Sequence, residues 1–144
     1  MFHSLLIAGQ FVCAAVLVLS ASWWPIPWLV IVLSLPGILL AVWAWLTMGL
    51  LRLRIHPSIN DNTRLLVNGP YALVRHPMYT GLLWFGAATL GSGFAWWRLA
   101  VWGVLAVILV MKANEEEQSI LQRFPQYRDY QEKTGQLVPR LDRV

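Results

Sequence analysis

The run Asn68-Gly69-Pro70-Tyr71-Ala72-Leu73-Val74-Arg75-His76-Pro77-Met78-Tyr79-Thr80-Gly81 holds the densest set of residues able to do chemistry in this chain. Asn-Gly-Pro is a turn signal, and Pro77 suits the first turn of a helix, where its missing N–H removes no bond. Arg75 and His76 then stand at the positive end of that helix, where free N–H groups and a guanidinium converge and suit an anionic ligand group. On spacing alone, an Arg at such a place is equally an anchor to lipid phosphate. The second polar cluster, Glu115-Glu116-Glu117, reads by the same measure as a solvated helix start, because the helix dipole favours acids there. Spacing leaves both choices open.

The elements that must carry these residues are set by composition. Of 144 residues, 58% are hydrophobic and 12% charged, about half the charged share of a soluble domain. No Asp, Glu, Lys or Arg precedes Arg52, and none lies between Arg75 and Arg98 or between Arg98 and Lys112. A hydrocarbon core of about 30 Å takes about 20 apolar residues per helix. The expectation is an all-α polytopic membrane protein of about four transmembrane helices, one domain over 1-144, with spans at about 5-21, 28-51, 77-95 and 97-111. Segments 52-76 and 112-144 are left outside the bilayer. The break Ser22-Trp23-Trp24-Pro25-Ile26-Pro27 suits an interface. Pro36-Gly37 predicts a kink inside the second span rather than its end. The third and fourth spans read as a short, tilted hairpin interrupted at Gly91-Ser92-Gly93.

Lys and Arg number four from Arg52 to Arg75 and six from Lys112 onward, against Arg98 alone in the two opposite turns. That asymmetry places the middle segment, both termini and a helical C-terminal tail in the cytoplasm. In the tail, Ile120, Leu121, Phe124 and Tyr127 recur at helical spacing, limited by Pro125, and the chain after Gly135 reads as irregular. The net charge of +4 follows this topology and not a nucleic-acid surface, so no nucleic-acid partner is expected. Cys13 is a lone cysteine in an apolar run, which excludes a disulfide or a multi-Cys metal site, and no metal is expected. The N-terminus lacks the basic region and cleavage site of a removable signal and is expected to stay in the membrane. His3 and His56 read as exposed or interfacial, and no small-xxx-small seam dominates a span, so oligomeric state is unread.

"NGPYALVRHPMYTG" followed by "EEE", then Leu121, Phe124, Tyr127, Tyr130 and Pro139, resembles the isoprenylcysteine carboxyl methyltransferases and their wider superfamily, which includes phospholipid N-methyltransferases. The resemblance covers roughly residues 63 to 140. It departs in the tail, where Phe124-Pro125-Gln126-Tyr127 is one residue shorter than the usual pattern and has Pro in place of Gly. The resemblance implies an integral-membrane enzyme using S-adenosylmethionine. It also implies a cofactor pocket made of Gly69, Tyr71, Arg75, His76, Tyr79, Glu116 and Glu117, with Arg75 and Glu117 as the catalytic pair. The cofactor's carboxylate then suits the Arg75-His76 helix end, and its ammonium, ribose hydroxyls and sulfonium suit the carboxylates.

A sulfonium already makes its methyl electrophilic, so alignment and desolvation dominate such a transfer. The implied acceptor is an amphiphilic small molecule or lipid drawn from the surrounding membrane lipids. A carboxylate acceptor needs no base; an amine or thiol must lose a proton, to Glu116, Glu117 or His76. Three readings compete: a sterol-reductase-like enzyme using NADPH, a proton-coupled exporter, and a structural membrane protein. The exporter lacks an acid at depth in any span, and the structural reading leaves the Arg-His-Pro and Glu-Glu pieces without a purpose.

Overall fold

A computed structural model of the chain describes residues 2–25, 27–52 and 66–140. Arg54, Arg64 and Arg143, which enter the charge count, and His56 lie outside the described residues. Four long helices form: α1 (Phe2–Leu19), α2 (Trp28–Arg52), α3 (Pro77–Leu90) and α4 (Trp96–Arg123), followed by the short α5 (Tyr127–Lys133). One 3-10 turn, Gly69–Ala72, precedes α3. Among the described residues there is no strand, only a single parallel bridge between Val74 and Gly135. Two of the helices are long and apolar enough to cross a membrane, α2 over Trp28–Gly49 and α4.

Side-chain contacts give the directions. Gly81 meets Ala41 and Gly37, the Trp84 indole donates to the Leu33 carbonyl, and Gly91 meets Val30, so α3 runs antiparallel to α2. His3 reaches Glu115 and Gly9 faces Ile108, while Arg98 reaches the Leu17 carbonyl, so α1 runs antiparallel to α4. One end of the bundle therefore collects the starts of α1 and α3 and the polar half of α4. The core where α1, α3 and α4 meet is Leu17, Leu105 and Leu109, flanked by Leu82, Leu83 and Trp102. Much of the outer surface is apolar: Leu5, Phe11, Leu19, Leu29, Leu39, Trp45 and Val107 are all exposed. A continuous apolar exterior of this kind matches lipid chains better than water.

Four expectations need correcting. Pro36 lies inside an unbroken α2, as read, but its neighbour Gly37 does more than permit a bend. A Cβ on Gly37 would stand 2.7 Å from the Gly81 carbonyl, and one on Gly81 would stand 2.5 Å from the Gly37 carbonyl. Gly37 and Ala41 are thus a small-residue seam on α2 that the sequence reading passed over, and it lets two backbones touch. The third span stops at Leu90 rather than 95, because Gly91 and Ser92 fold back onto the Ala88 and Thr89 carbonyls. At 14 residues α3 is roughly 21 Å long, short of a bilayer core on its own. The fourth span and the tail helix are one element: α4 runs 28 residues without a break, roughly 42 Å. Glu115, Glu116 and Glu117 therefore sit in its interior, and the helix-start account of them does not hold. The remaining correction is Arg98, counted in the turn between the third and fourth spans but lying inside α4 and only 2% exposed. Its guanidinium donates to the carbonyls of Leu17, Thr89 and Gly93, closing the ends of α1 and α3 with a buried positive charge.

Candidate functional site

Gly69, at φ +63°, turns the chain over the Trp43 ring of α2 in a conformation that L side chains rarely adopt. Pro70 and Tyr71 follow in the 3-10 turn and are buried. His76 caps α3, with Pro77 as its first residue, as the sequence predicts. The helix start is not open to a ligand, however. The Arg75 and His76 N–H groups donate to the Gly135 and Gln136 carbonyls at 2.9 and 3.1 Å, and the Tyr79 and Thr80 N–H groups fold back on His76. The Thr80 hydroxyl donates to the Leu137 carbonyl at 2.8 Å. Residues 134–137 thus lie as a strap along the start of α3.

Arg75 is likewise engaged. Its Nε and Nη2 donate to the two Glu117 carboxylate oxygens at 2.8 and 3.1 Å, a two-pronged pair. Its Nη1 donates to the carbonyls of Gln131, at 3.0 Å, and Thr134. Glu117 also takes the Gln131 amide at 2.6 Å and His76 Nε2 at 3.0 Å. The guanidinium fork that the resemblance offers to a ligand carboxylate is paired with Glu117 in this structure. Burial alone would raise the Glu117 pKa, but the hydrogen bonds from His76, Arg75 and Gln131 outweigh it and bring it down to about 2. His76 is pulled both ways: burial lowers its pKa, while the hydrogen bonds and charges of Glu116 and Glu117 raise it, and the raising wins.

A more open face lies beside this pair. The Glu116 side chain is 39% exposed, with Oε2 3.5 Å from His76 Nδ1 and Oε1 taking the Tyr79 hydroxyl. The Glu116 pKa is lowered: its hydrogen bonds to His76 and Tyr79 exceed the opposing effect of burial. Tyr79 stacks on His76, with ring centroids 5.4 Å apart and planes within 4°. Behind them the buried Tyr71 hydroxyl has no hydrogen-bond partner. Burial first, then the Glu116 charge, push the Tyr71 pKa up, so it stays a donor. An open cleft continues from Glu116 past Ser119 to His3.

The structure therefore brings Arg75, His76, Tyr79, Glu116 and Glu117 into one connected network, with Tyr71 beside it. Gly69 acts through the backbone at the turn. The sequence reading missed Gln131 and the strap carbonyls, which carry no residue-type signal, and also the contact beside the network in which Lys112 on α4 donates to the Gln10 side-chain oxygen on α1. Gln10 had such a signal: it is the single amide in an otherwise apolar stretch from Leu5 to Leu19. The open face offers a part-exposed carboxylate at Glu116, and the unfilled Tyr71 hydroxyl donor is buried behind it; acceptor and donor are both groups that a zwitterionic ligand such as S-adenosylmethionine can use. Among the described residues, no group of three or more His, Cys, Asp and Glu is placed to hold a metal ion.

The sequence profile of the phospholipid methyltransferase family matches residues 26–126, which takes in α2, α3, α4 and the whole network except the strap and α5. The chain belongs to the phospholipid methyltransferase family. It is also similar to a cobalt-zinc-cadmium resistance protein of Cupriavidus metallidurans, at 32% identity over 142 residues, 91% of this chain and 60% of that protein. A nickel-cobalt-cadmium resistance protein of Alcaligenes xylosoxydans xylosoxydans is 30% identical over 131 residues, 87% of this chain and 58% of that protein. The chain thus spans about three-fifths of the length of these relatives. No solved structure matches.

Proposed function

We propose that this chain is a multi-pass membrane methyltransferase that takes its methyl group from S-adenosylmethionine and passes it to a hydrophobic or amphiphilic acceptor. In this reading four helices sit in the bilayer, and the strap, both termini and the site face the cytoplasm. Family membership and the apolar exterior support the membrane enzyme. The observation that carries the cofactor is the open face of Glu116, Tyr79 and His76 next to the unpartnered Tyr71 hydroxyl.

Bound there, S-adenosylmethionine supplies a methyl group made electrophilic by a positive sulfur. The chain's own residues have three tasks. Glu116 accepts hydrogen bonds from the ligand's ammonium or ribose hydroxyls, and Tyr71 donates one. Arg75 and Glu117, spent on each other, position His76 and hold the strap closed, which keeps water from the reacting atoms. Glu116 or His76 takes the proton when the acceptor is an amine or a thiol, and neither is needed for a carboxylate. This moves Glu117 from a ligand-contacting acid, as the resemblance implied, to the residue that orients its neighbours.

The heavy-metal resistance named for the two relatives offers a second setting. The test of the main reading is calorimetric titration of the detergent-purified protein with S-adenosylhomocysteine and, separately, with NADPH. Binding of the first alone is expected; binding of NADPH alone would move the chain to the reductase reading.

A further inference from the structure

Lys112 is a charge that neither the fold nor the methyl-donor face explains. It ends an uncharged run from Leu99 to Met111 on α4, and it is 7% exposed. A lysine at such a place ordinarily extends its long side chain outward to water. Here the ammonium turns inward instead. It donates to the Gln10 side-chain oxygen on α1 at 2.6 Å and lies 4.9 Å from the centre of the Tyr79 ring on α3. Among the described residues no carboxylate comes within ion-pair distance of it.

An ammonium has three donors and no acceptor. One donor is used by Gln10 and the ring shares the charge, leaving capacity for a further partner. Glu116, one turn along α4, supplies a counter-charge at longer range: the Lys112 charge helps to lower its pKa, while its own oxygens go to Tyr79 and His76. If joining α1 to α4 were the only task, apolar contact would do it, as it does one turn away where Gly9 meets Ile108. The ammonium donors left over can therefore meet an anionic group of a ligand.

Position tells which ligand. Lys112 and Glu116 are four residues apart on one face of α4, so Lys112 lies about one turn further toward the apolar half of the bundle. Tyr79 stands between the two: its hydroxyl goes to Glu116, it stacks on His76, and its ring lies under Lys112. Gln10 and Tyr79 are each only partly buried, which leaves the ammonium approachable past them. We propose that Lys112, held by Gln10 and Tyr79, binds the anionic group, carboxylate or phosphate, of a chain-bearing acceptor. To call the ligand an acceptor rests on the methyltransferase reading; the anion subsite itself does not.

The test uses the full chain in phosphatidylcholine nanodiscs, probed by titration with laurate, dodecyl phosphate, dodecyltrimethylammonium and inorganic phosphate. The wild type is compared with Lys112→Met, Lys112→Arg and Gln10→Glu, and S-adenosylhomocysteine is titrated into each. The wild type is expected to bind laurate or dodecyl phosphate at least tenfold more tightly than the cationic amphiphile. Which of the two is preferred identifies the group as carboxylate or phosphate. Lys112→Met and Gln10→Glu should abolish the preference and Lys112→Arg should keep it, with affinity for S-adenosylhomocysteine falling much less than affinity for the anion. Gln10→Glu supplies an internal counter-charge, so it holds α1 to α4 at least as well as Gln10 does and decides the matter even if Lys112→Met fails to fold. No preference in the wild type, a preference that survives Gln10→Glu, or binding of inorganic phosphate as tight as that of the amphiphiles would overturn the proposal. So would equal losses of anion and S-adenosylhomocysteine affinity, which would assign Lys112 to the cofactor. Anion preference that Gln10→Glu removes, in a protein that never binds S-adenosylhomocysteine, keeps the subsite and sinks the methyltransferase reading alone.

Discussion

Glu117 receives four donors, from Arg75 twice, His76 and Gln131, while its own side chain is 7% exposed. Removing one side of a buried pair leaves the other charge without compensation, at about 3–5 kcal/mol. Glu117→Gln is therefore expected to lower thermal stability in detergent by that order, and Glu117→Gln with Arg75→Met by less than the sum of the two single changes. Additive losses in that double-mutant cycle would show that the pair does not act as a unit. Arg75→Lys keeps the charge but cannot reach both Glu117 oxygens and the two strap carbonyls at once, so a partial loss of about 1–3 kcal/mol is expected. The pH dependence follows from the same contacts. The Glu117 pKa falls from 4.5 to about 2 on folding, so its contribution is complete above pH 4.5 and is lost as pH falls toward 2. The His76 pKa is raised from 6.5, so its contribution is complete below that value and is lost as pH rises through the folded-state value. Melting temperature should therefore peak between these limits, and the acid limb should flatten in Glu117→Gln.

At the scale of elements, the α2–α3 crossing and the Arg98 cap are the two points where one substitution should be felt along a whole helix. Gly81→Ala pushes a methyl group into the backbone carbonyl of Gly37, and backbone cannot swing aside as a side chain can. A loss of about 1–3 kcal/mol is expected, read as a lower melting temperature, while Gly103→Ala, where a Cβ would meet nothing, should be neutral or better. Existence and order of the long helices were legible from hydropathy, and the turn before α3 from Asn-Gly-Pro. The end of α3 was legible only as an interruption at Gly91-Ser92-Gly93: the fold-back onto Ala88 and Thr89 follows from those residues, but that the Arg98 guanidinium also takes the Thr89 carbonyl depends on the folded chain. The join of span and tail into one helix was also hidden, since a change from apolar to acidic composition looks like a boundary although Lys112 to Arg123 all tolerate helix. In the site, the residue types were readable from the motif. Their partners were not: an Arg and a Glu 42 positions apart can meet a ligand or each other, and nothing local distinguishes the two.

For the whole molecule, the apolar exterior and the gathering of polar residues at one end lead to a topology that labelling can check. Single cysteines placed at Asn62 and Gln136 should react with membrane-impermeant reagents only from the cytoplasmic side, and one at Phe94 only from the other; any reversal would discard the four-span arrangement. Residues 134–137 also bear on how the molecule is made. They follow all four long helices in chain order, yet they supply the carbonyls that occupy Arg75 Nη1 and the N–H groups of Arg75 and His76. In the proposed four-span arrangement, a nascent chain inserting helix by helix would carry an Arg and a His at the bilayer surface with their eventual acceptors still unsynthesised. Lipid phosphates are the acceptors at hand during that interval. On that arrangement, the anchoring that spacing alone suggests for Arg75 belongs to biogenesis, and the strap takes the place of lipid when translation reaches it.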